Sequence, residues 1–237
     1  MEPVTAEKSS LVEDMVDAFF APVAMFTRRA GRPSWAAYGI VTLLLAATFY
    51  ASLGALQGVF DTEMARAMAE AAAKNPQMTG EQLAGMQVAM EASFKYGGFV
   101  VIPFIVLVLG LCIWLVAKVL GGELGFGGGV MIAAFAYLPK VLESALVSVQ
   151  SLVLDTSTFT GRYQYSWGVG RFLDPSMPQG MQNLLGRVDL FTLWATILIA
   201  LGLAYSAKVP QSKAYAGAAL IWVLGALPAL FQVMSGK

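Results

Sequence analysis

Histidine is absent from the 237 residues and cysteine occurs once, at Cys112. Without those residues the common His/Cys metal sites and any intrachain disulfide drop out, so no metal site is expected. Cys112 lies inside an apolar run, where a thiol reads as a buried, inert core residue. Charge is also scarce. Asp, Glu, Lys and Arg make up 13% of the chain, 15 basic residues against 15 acidic, for a formal net charge of +0. No global field draws in nucleic acid, which is not expected as a partner. Without His, a nucleophile elbow or paired carboxylates inside an apolar run, no acid, base or nucleophile set can be assigned. The expectation is a non-enzyme with no catalytic residues and no cofactor.

Apolar residues are what the chain has in excess: 57% of it, with a mean hydropathy of +0.66. That is too oily for an average soluble domain and points to an integral membrane protein. The start, Met1-Glu2-Pro3 followed by Glu7, Glu13, Asp14 and Asp17, lacks the basic n-region of a cleaved signal peptide. The first span is therefore expected to stay in the protein.

A helix crossing a hydrocarbon core of roughly 30 Å needs about 20 apolar residues. Charge-free runs of that scale predict an all-α, polytopic helix bundle with five transmembrane helices, at about 35–60, 96–118, 126–154, 189–207 and 213–235. These form a membrane domain over 35–237, preceded by an N-terminal amphipathic cytoplasmic segment over 1–34 and carrying extramembrane loops at 61–95 and 155–188. The short Lys208–Lys213 connection makes the last two spans an antiparallel hairpin. The third span is the irregular one. About 29 residues would make a helix of roughly 43 Å, so a kink near Pro139 is expected, with the far end among the headgroups.

Before the first span, Leu11, Met15, Phe19 and Val23 recur every four residues, with Phe20, Pro22 and Phe26 adding apolar bulk. This predicts an amphipathic helix that either lies on the membrane surface or packs on the protein's own spans. In 61–95, two helical patterns divided by Asn75, Pro76 and Gly80 predict a helical hairpin outside the bilayer, with Leu83, Met86, Met90 and Phe94 on one face. Met64, Met68, Met78, Met86 and Met90 read as packing residues rather than a copper set, because no His accompanies them. In 155–188, Phe159, Tyr163, Tyr165, Trp167 and Phe172 among Gly, Ser and Thr suggest an ordered interfacial loop, with a hairpin around Arg162 to Phe172.

Orientation follows from basic residues near span ends. Lys8, Arg28, Arg29, Arg32, Lys118, Lys208 and Lys213 crowd short segments on one side. Arg66, Lys74, Lys95, Arg162, Arg171, Arg187 and Lys237 are spread over longer loops on the other. That density predicts a cytoplasmic N-terminus and, with five spans, an outside C-terminus, in the cell (inner) membrane.

Two features invite function. Gly121, Gly122, Gly125, Gly127, Gly128 and Gly129 crowd the turn between the second and third spans. No strand precedes them and no Lys-Ser/Thr follows, so they are not a phosphate loop; Gly121, Gly125 and Gly129 have the spacing of a close helix-packing stripe. Lys140 and Glu143 are three apart on one helical face and can pair. Along an unkinked third span they sit roughly 21 and 26 Å from its inner end. Asp189, opening the fourth span, lies at a similar depth, and the three are a candidate polar membrane cluster. It reads as a structural anchor first and an ion or proton site second.

Three stretches carry a resemblance: Asp17-Ala-Phe-Phe-Ala-Pro22 before the first span, Phe135-Ala-Tyr137-Leu-Pro139 in the third, and Asp189-Leu-Phe191-Thr-Leu-Trp194 followed by Gly202 in the fourth. Taken in order along nearly the whole chain, they resemble the Yip family of five-span membrane proteins related to the Ypt/Rab-interacting proteins, and specifically its bacterial branch. The resemblance implies a cytoplasmic N-terminus, an outside C-terminus, and Asp17, Pro22, Tyr137, Pro139, Asp189, Phe191, Trp194 and Gly202 as family-motif positions. Eukaryotic members act in vesicle traffic through partners such as prenylated GTPases. This chain departs from them in its loose echo of their Asp-Leu-Tyr-Gly-Pro pattern, in lacking the long cytoplasmic arm and in the large loop after the first span. The expected role is a membrane scaffold or adaptor for membrane proteins or lipids, its partners being the bilayer and a membrane protein or a second copy. The alternative is a small-solute, ion or proton transporter or channel.

Overall fold

A computed structural model describes residues 10–153 and 162–235. The expected span and loop ends at Leu154, Asp155 and Lys237, the aromatic Phe159, and Glu7 and Lys8 lie outside the described residues. Among those described, ten α-helices carry the fold and no strand forms. They are α1 (Leu11–Phe20), α2 (Pro22–Arg28), α3 (Trp35–Lys74), α4 (Gly80–Tyr96), α5 (Gly98–Val119), α6 (Phe126–Val153), α7 (Gln179–Leu185), α8 (Leu190–Tyr205), α9 (Gln211–Leu224) and α10 (Leu227–Met234).

The helix α6 is the centre. Val130, Met131, Ile132, Ala133, Ala134, Phe135 and Ala136 are all buried, so this stretch is covered on every side, as a helix apolar all round should be. Trp35 meets Phe126, placing the starts of α3 and α6 at one end of the bundle. Contacts of Gly110 with Val130 and of Gly202 with Ile132 lay α5 and α8 against its other faces. At Gly110 an added Cβ would stand 2.7 Å from the Val130 Cα, and at Gly129 it would strike the Gly110 carbonyl, so these two glycines bring the α5 and α6 backbones together. This corrects the Gly121, Gly125, Gly129 stripe: Gly125 faces open space, and Gly121 serves the turn with φ +80. Close packing uses a glycine from each helix rather than a run on one. Cys112 is half-buried, not buried.

Among the described residues, three helices are long and apolar enough to cross a membrane: Trp35–Gly54 of α3, α5 itself and Phe126–Gln150 of α6. The bent α9–α10 pair makes a fourth if taken as one span. The other two expected spans differ from simple helices for local reasons. The α8 helix has 16 residues, roughly 24 Å, short of the roughly 30 Å core. The last is broken at Gly225 and Ala226 with a 43° bend, where Gly225 ends α9 and Pro228, lacking an N–H, sits in the first turn of α10. The α6 helix stays continuous through Pro139.

Outside the apolar segments, α3 does not stop at Asp61. It runs on for 40 residues, roughly 60 Å, because Ala, Met, Glu and Arg continue without Gly or Pro as far as Lys74. Gln57 bonding Asp61 and Lys74 pairing with Glu70 support its far half. After the turn, Thr79 opens α4 with a capping box to Gln82. Leu83, Met86, Met90 and Phe94 are its half-buried face, and Phe94 stacks on Phe60 of α3 at 3.9 Å. The stretch expected to hold a hairpin from Arg162 to Phe172 instead forms 3-10 turns, Arg162–Tyr165 and Val169–Phe172. Its one antiparallel bridge joins Gly168 to Asp189, so the backbone there pairs with the approach to α8 rather than with itself.

The N-terminal segment resolves the choice left by its periodicity. Ser10 caps α1 in a capping box with Glu13, and Pro22 at the start of α2 follows the elbow at Ala21. Both helices pack on the bundle: Phe26 meets Phe135 edge-on, the Ser206 hydroxyl donates to the Phe26 carbonyl at 2.7 Å, and Phe19 meets Trp194 at 5.4 Å. Trp194 and Ser206, the residue that caps the end of α8, are twelve residues apart, so the α1–α2 pair follows that helix for roughly 18 Å. Val12, Val16, Phe20 and Val23 remain exposed on the opposite side.

Candidate functional site

Asp189 closes the first turn of α8. Its Oδ1 accepts the Phe191 and Thr192 backbone N–H groups at 2.9 Å each, and the Thr192 hydroxyl donates to Oδ2. This is an N-cap carboxylate in the place where a helix dipole favours negative charge. From the neighbouring helix, Lys140 Nζ lies 3.3 Å from Asp189 Oδ1 and 2.7 Å from Glu143 Oε2. The structure therefore brings Lys140, Glu143 and Asp189 together, with side-chain exposures of 24, 20 and 5%. One ammonium bridges two carboxylates, and the Asp189 oxygens are further taken up by the cap.

The cluster forms part of the wall of a cavity of about 360 Å³, along with Leu56, Val147, Tyr163, Tyr165, Ser166 and Arg187. A second cavity, about 330 Å³, lies between α5, α6, α8 and α9; it shares Lys140, Arg187 and Thr192 with the first. Arg187, absent from the cluster proposed on sequence, stands between the two. Its Nη2 donates to the Trp222 carbonyl at 2.9 Å, and its guanidinium lies 5.7 Å from the Trp222 ring centroid. Burial lowers its pKa below the ordinary guanidinium value, opposed by the nearby Tyr137, Asp189 and Tyr163. The loop is anchored by the Tyr163 hydroxyl donating to Asn183 at 2.8 Å and by Asn183 donating to Gln232 at 2.6 Å, which ties α7 to α10. Only a basic residue two positions before a cap Asp marked Arg187 in the sequence.

A second charged group was missed altogether. Asp14, with 0% of its side chain exposed, receives Arg28 Nε at 3.1 Å, Arg28 Nη2 at 2.5 Å and Arg29 Nε at 2.6 Å. Asp17 takes Arg28 Nη2 at 2.7 Å. The hydrogen bonds that Arg28 donates to Asp17 and then to Asp14 raise its pKa above the usual value. Two carboxylates and two guanidinium groups thus close the base of the α1–α2 elbow. Amphipathic periodicity could not reveal them, because the partners lie on different helices.

The remaining motif positions sit around the α6–α8 contact. Phe191 is buried, Trp194 meets Phe19, Gly202 fits against Ile132, Tyr137 lines the second cavity, and Pro139 lies inside α6. Among the described residues no group of three or more His, Cys, Asp or Glu side chains could hold a metal ion.

Apolar helices of spanning length around a buried central helix define a polytopic α-helical membrane protein. The Yip1 domain description matches residues 16–231, and the chain belongs to that family. It is not a family known for enzymes. No curated protein and no solved structure matches the chain.

Proposed function

We propose that this protein is a non-enzymatic membrane scaffold or adaptor for membrane proteins or lipids. The observation that carries this reading is how the charged groups near the apolar helices are used: Lys140 is held by Glu143 and Asp189, and Asp189 is also the α8 cap. Such groups fix helices against one another and leave the outward faces of the bundle to the binding of partners. The chain crosses the cell (inner) membrane five times, through α3, α5, α6, α8 and the bent α9–α10 pair, with the bilayer or a tilt of its neighbours accommodating the short α8. Its N-terminus is cytoplasmic, and its C-terminus and the α3–α4 hairpin are outside. The exposed Val12, Val16, Phe20 and Val23 face acyl chains alongside α8. The family's bacterial branch is where the sequence fits best.

Native mass spectrometry from mild detergent tests this: a membrane protein, a second copy or lipid is retained in fixed stoichiometry. Recovery of bare monomer alone refutes it. The second reading, transport, draws on the two cavities meeting at Lys140 and Arg187. Flux into liposomes that is lost in Glu143→Gln and Asp189→Asn would favour it; flux unchanged in both removes its chemical basis.

A further inference from the structure

Arg187 has the surroundings of a ligand-binding cation. Lys140 is neutralised by two carboxylates, but among the described residues no carboxylate lies within ion-pair distance of Arg187. Its one hydrogen bond is the Nη2 donation to the Trp222 carbonyl, which caps the end of α9. That bond leaves the buried Nε without a partner, as are the Trp222 Nε1 and the Ser166 hydroxyl. Each of these buried donors is destabilising if nothing accepts from it. Gly225 leaves room for the guanidinium, since a Cβ there would stand 2.7 Å from Nη2. Beyond these donors the cavity walls turn apolar, with Leu109, Ala195, Ile199 and Ile221.

We propose that Arg187, which lines both cavities, binds a phosphate group there, with Trp222 Nε1 on the side of the second cavity and Ser166 Oγ on the side of the first. Guanidinium is the side chain suited to phosphate, because its planar fork supplies several donors to one anion. Three buried donors without acceptors, one of them on a guanidinium with no carboxylate at ion-pair distance, call for an acceptor-rich anion and not for a cationic ligand. The apolar walls accommodate an acyl chain when that phosphate belongs to a lipid headgroup, and the guanidinium favours a net-anionic headgroup over one whose phosphate is balanced by its own choline. A free phosphate would use the same donors without the walls. The site deepens the scaffold reading by naming a lipid class, and resting on it, it sits at the rim of the same bundle.

The test uses full-length protein in nanodiscs of mixed phosphatidylglycerol and phosphatidylcholine, released into native mass spectrometry. The expected result is at least a fivefold preference for phosphatidylglycerol in the wild type. That preference falls to near parity in Arg187→Gln, falls partially in Trp222→Phe, which keeps the aromatic packing, and is unchanged in Arg171→Gln. Competition by millimolar inorganic phosphate that erases the preference would assign the site to the free anion. Equal retention of both lipids by the wild type, or an undiminished preference in Arg187→Gln and Trp222→Phe, overturns the proposal. These outcomes separate from the scaffold reading: that reading survives equal retention if any lipid or protein stays bound, and fails on bare monomer.

Discussion

Replacing Asp14 by Ala should release the α1–α2 elbow from the bundle without unfolding the bundle itself. The carboxylate is fully buried and is the shared acceptor for Arg28 and Arg29. Removing one partner of a buried ion pair costs about 3–5 kcal/mol, because the other charge is left uncompensated. Here two features reduce that figure. Arg28 keeps Asp17 at 2.7 Å, and the two arginines retain 28 and 19% exposure, so water solvates part of the freed charge. An expected cost of about 2–3 kcal/mol follows. At 1.4 kcal/mol per tenfold, local opening becomes roughly 30- to 150-fold more populated. Hydrogen–deuterium exchange in mild detergent should show that acceleration across α1 and α2, with exchange in α5 and α6 unchanged. The double variant Asp14→Ala/Arg29→Ala should lose less than the two single changes together, by about 1 kcal/mol or more, since the residues contact each other. Raising salt should leave the wild-type protection intact: contact pairs this buried are screened little. Unchanged protection of α1 in Asp14→Ala, or acceleration spread evenly over the chain, would refute the reasoning.

Gly110→Ala places its Cβ 2.7 Å from Val130 Cα and should destabilise the α5–α6 contact by about 1–3 kcal/mol, whereas Gly125→Ala, facing open space, should stay within about 0.5 kcal/mol. Both can be read by thermal unfolding followed through the reactivity of the single thiol, Cys112. Asp189→Ala should cost about 1 kcal/mol more than Asp189→Asn in the same assay, since Asn keeps an acceptor for the α8 cap and both lose the charge facing Lys140. Glu123, whose pKa is held down by its hydrogen bond to Lys208, is fully exposed, so Glu123→Gln should leave the unfolding temperature unchanged from acid to neutral pH.

The apolar helices were legible because a bilayer demands length and hydropathy, both of which a one-dimensional reading measures. Runs in α3, α5 and α6 satisfy that demand locally. What the reading missed is where a helix stops when water and lipid place no boundary on it. Charge at Asp61 ends an apolar run, yet Ala, Glu and Arg continue the helix equally well in water, so α3 extends to Lys74. At Gly225 and Ala226 the opposite holds: the composition stays apolar while Gly and the following Pro break the helix. In the glycine-rich turn, spacing suggested one helix's stripe, but the contact pairs Gly129 with Gly110 on a different helix.

The same division governs the charged groups. Lys140 and Glu143 lie three residues apart in one helix, so helix geometry alone brings them together at 2.7 Å. Asp189, forty-nine residues from Lys140, was placed beside it by depth along the spans, an argument that works because antiparallel helices of known rise have comparable heights. Asp14 offered no such handle. It sits on a helix whose apolar face is ambiguous, and its partners Arg28 and Arg29 read from sequence only as cytoplasmic anchors. Their pairing follows from the elbow at Ala21, which turns α2 back along α1, and that elbow follows from Pro22 being unable to extend α1. Holding one buried and three partly buried charged groups against helices this apolar is tolerable only when they neutralise one another. The elbow and its ion pairs therefore have to form together, and a change that straightens the chain at Pro22 should expose Asp14 as surely as one that removes the arginines.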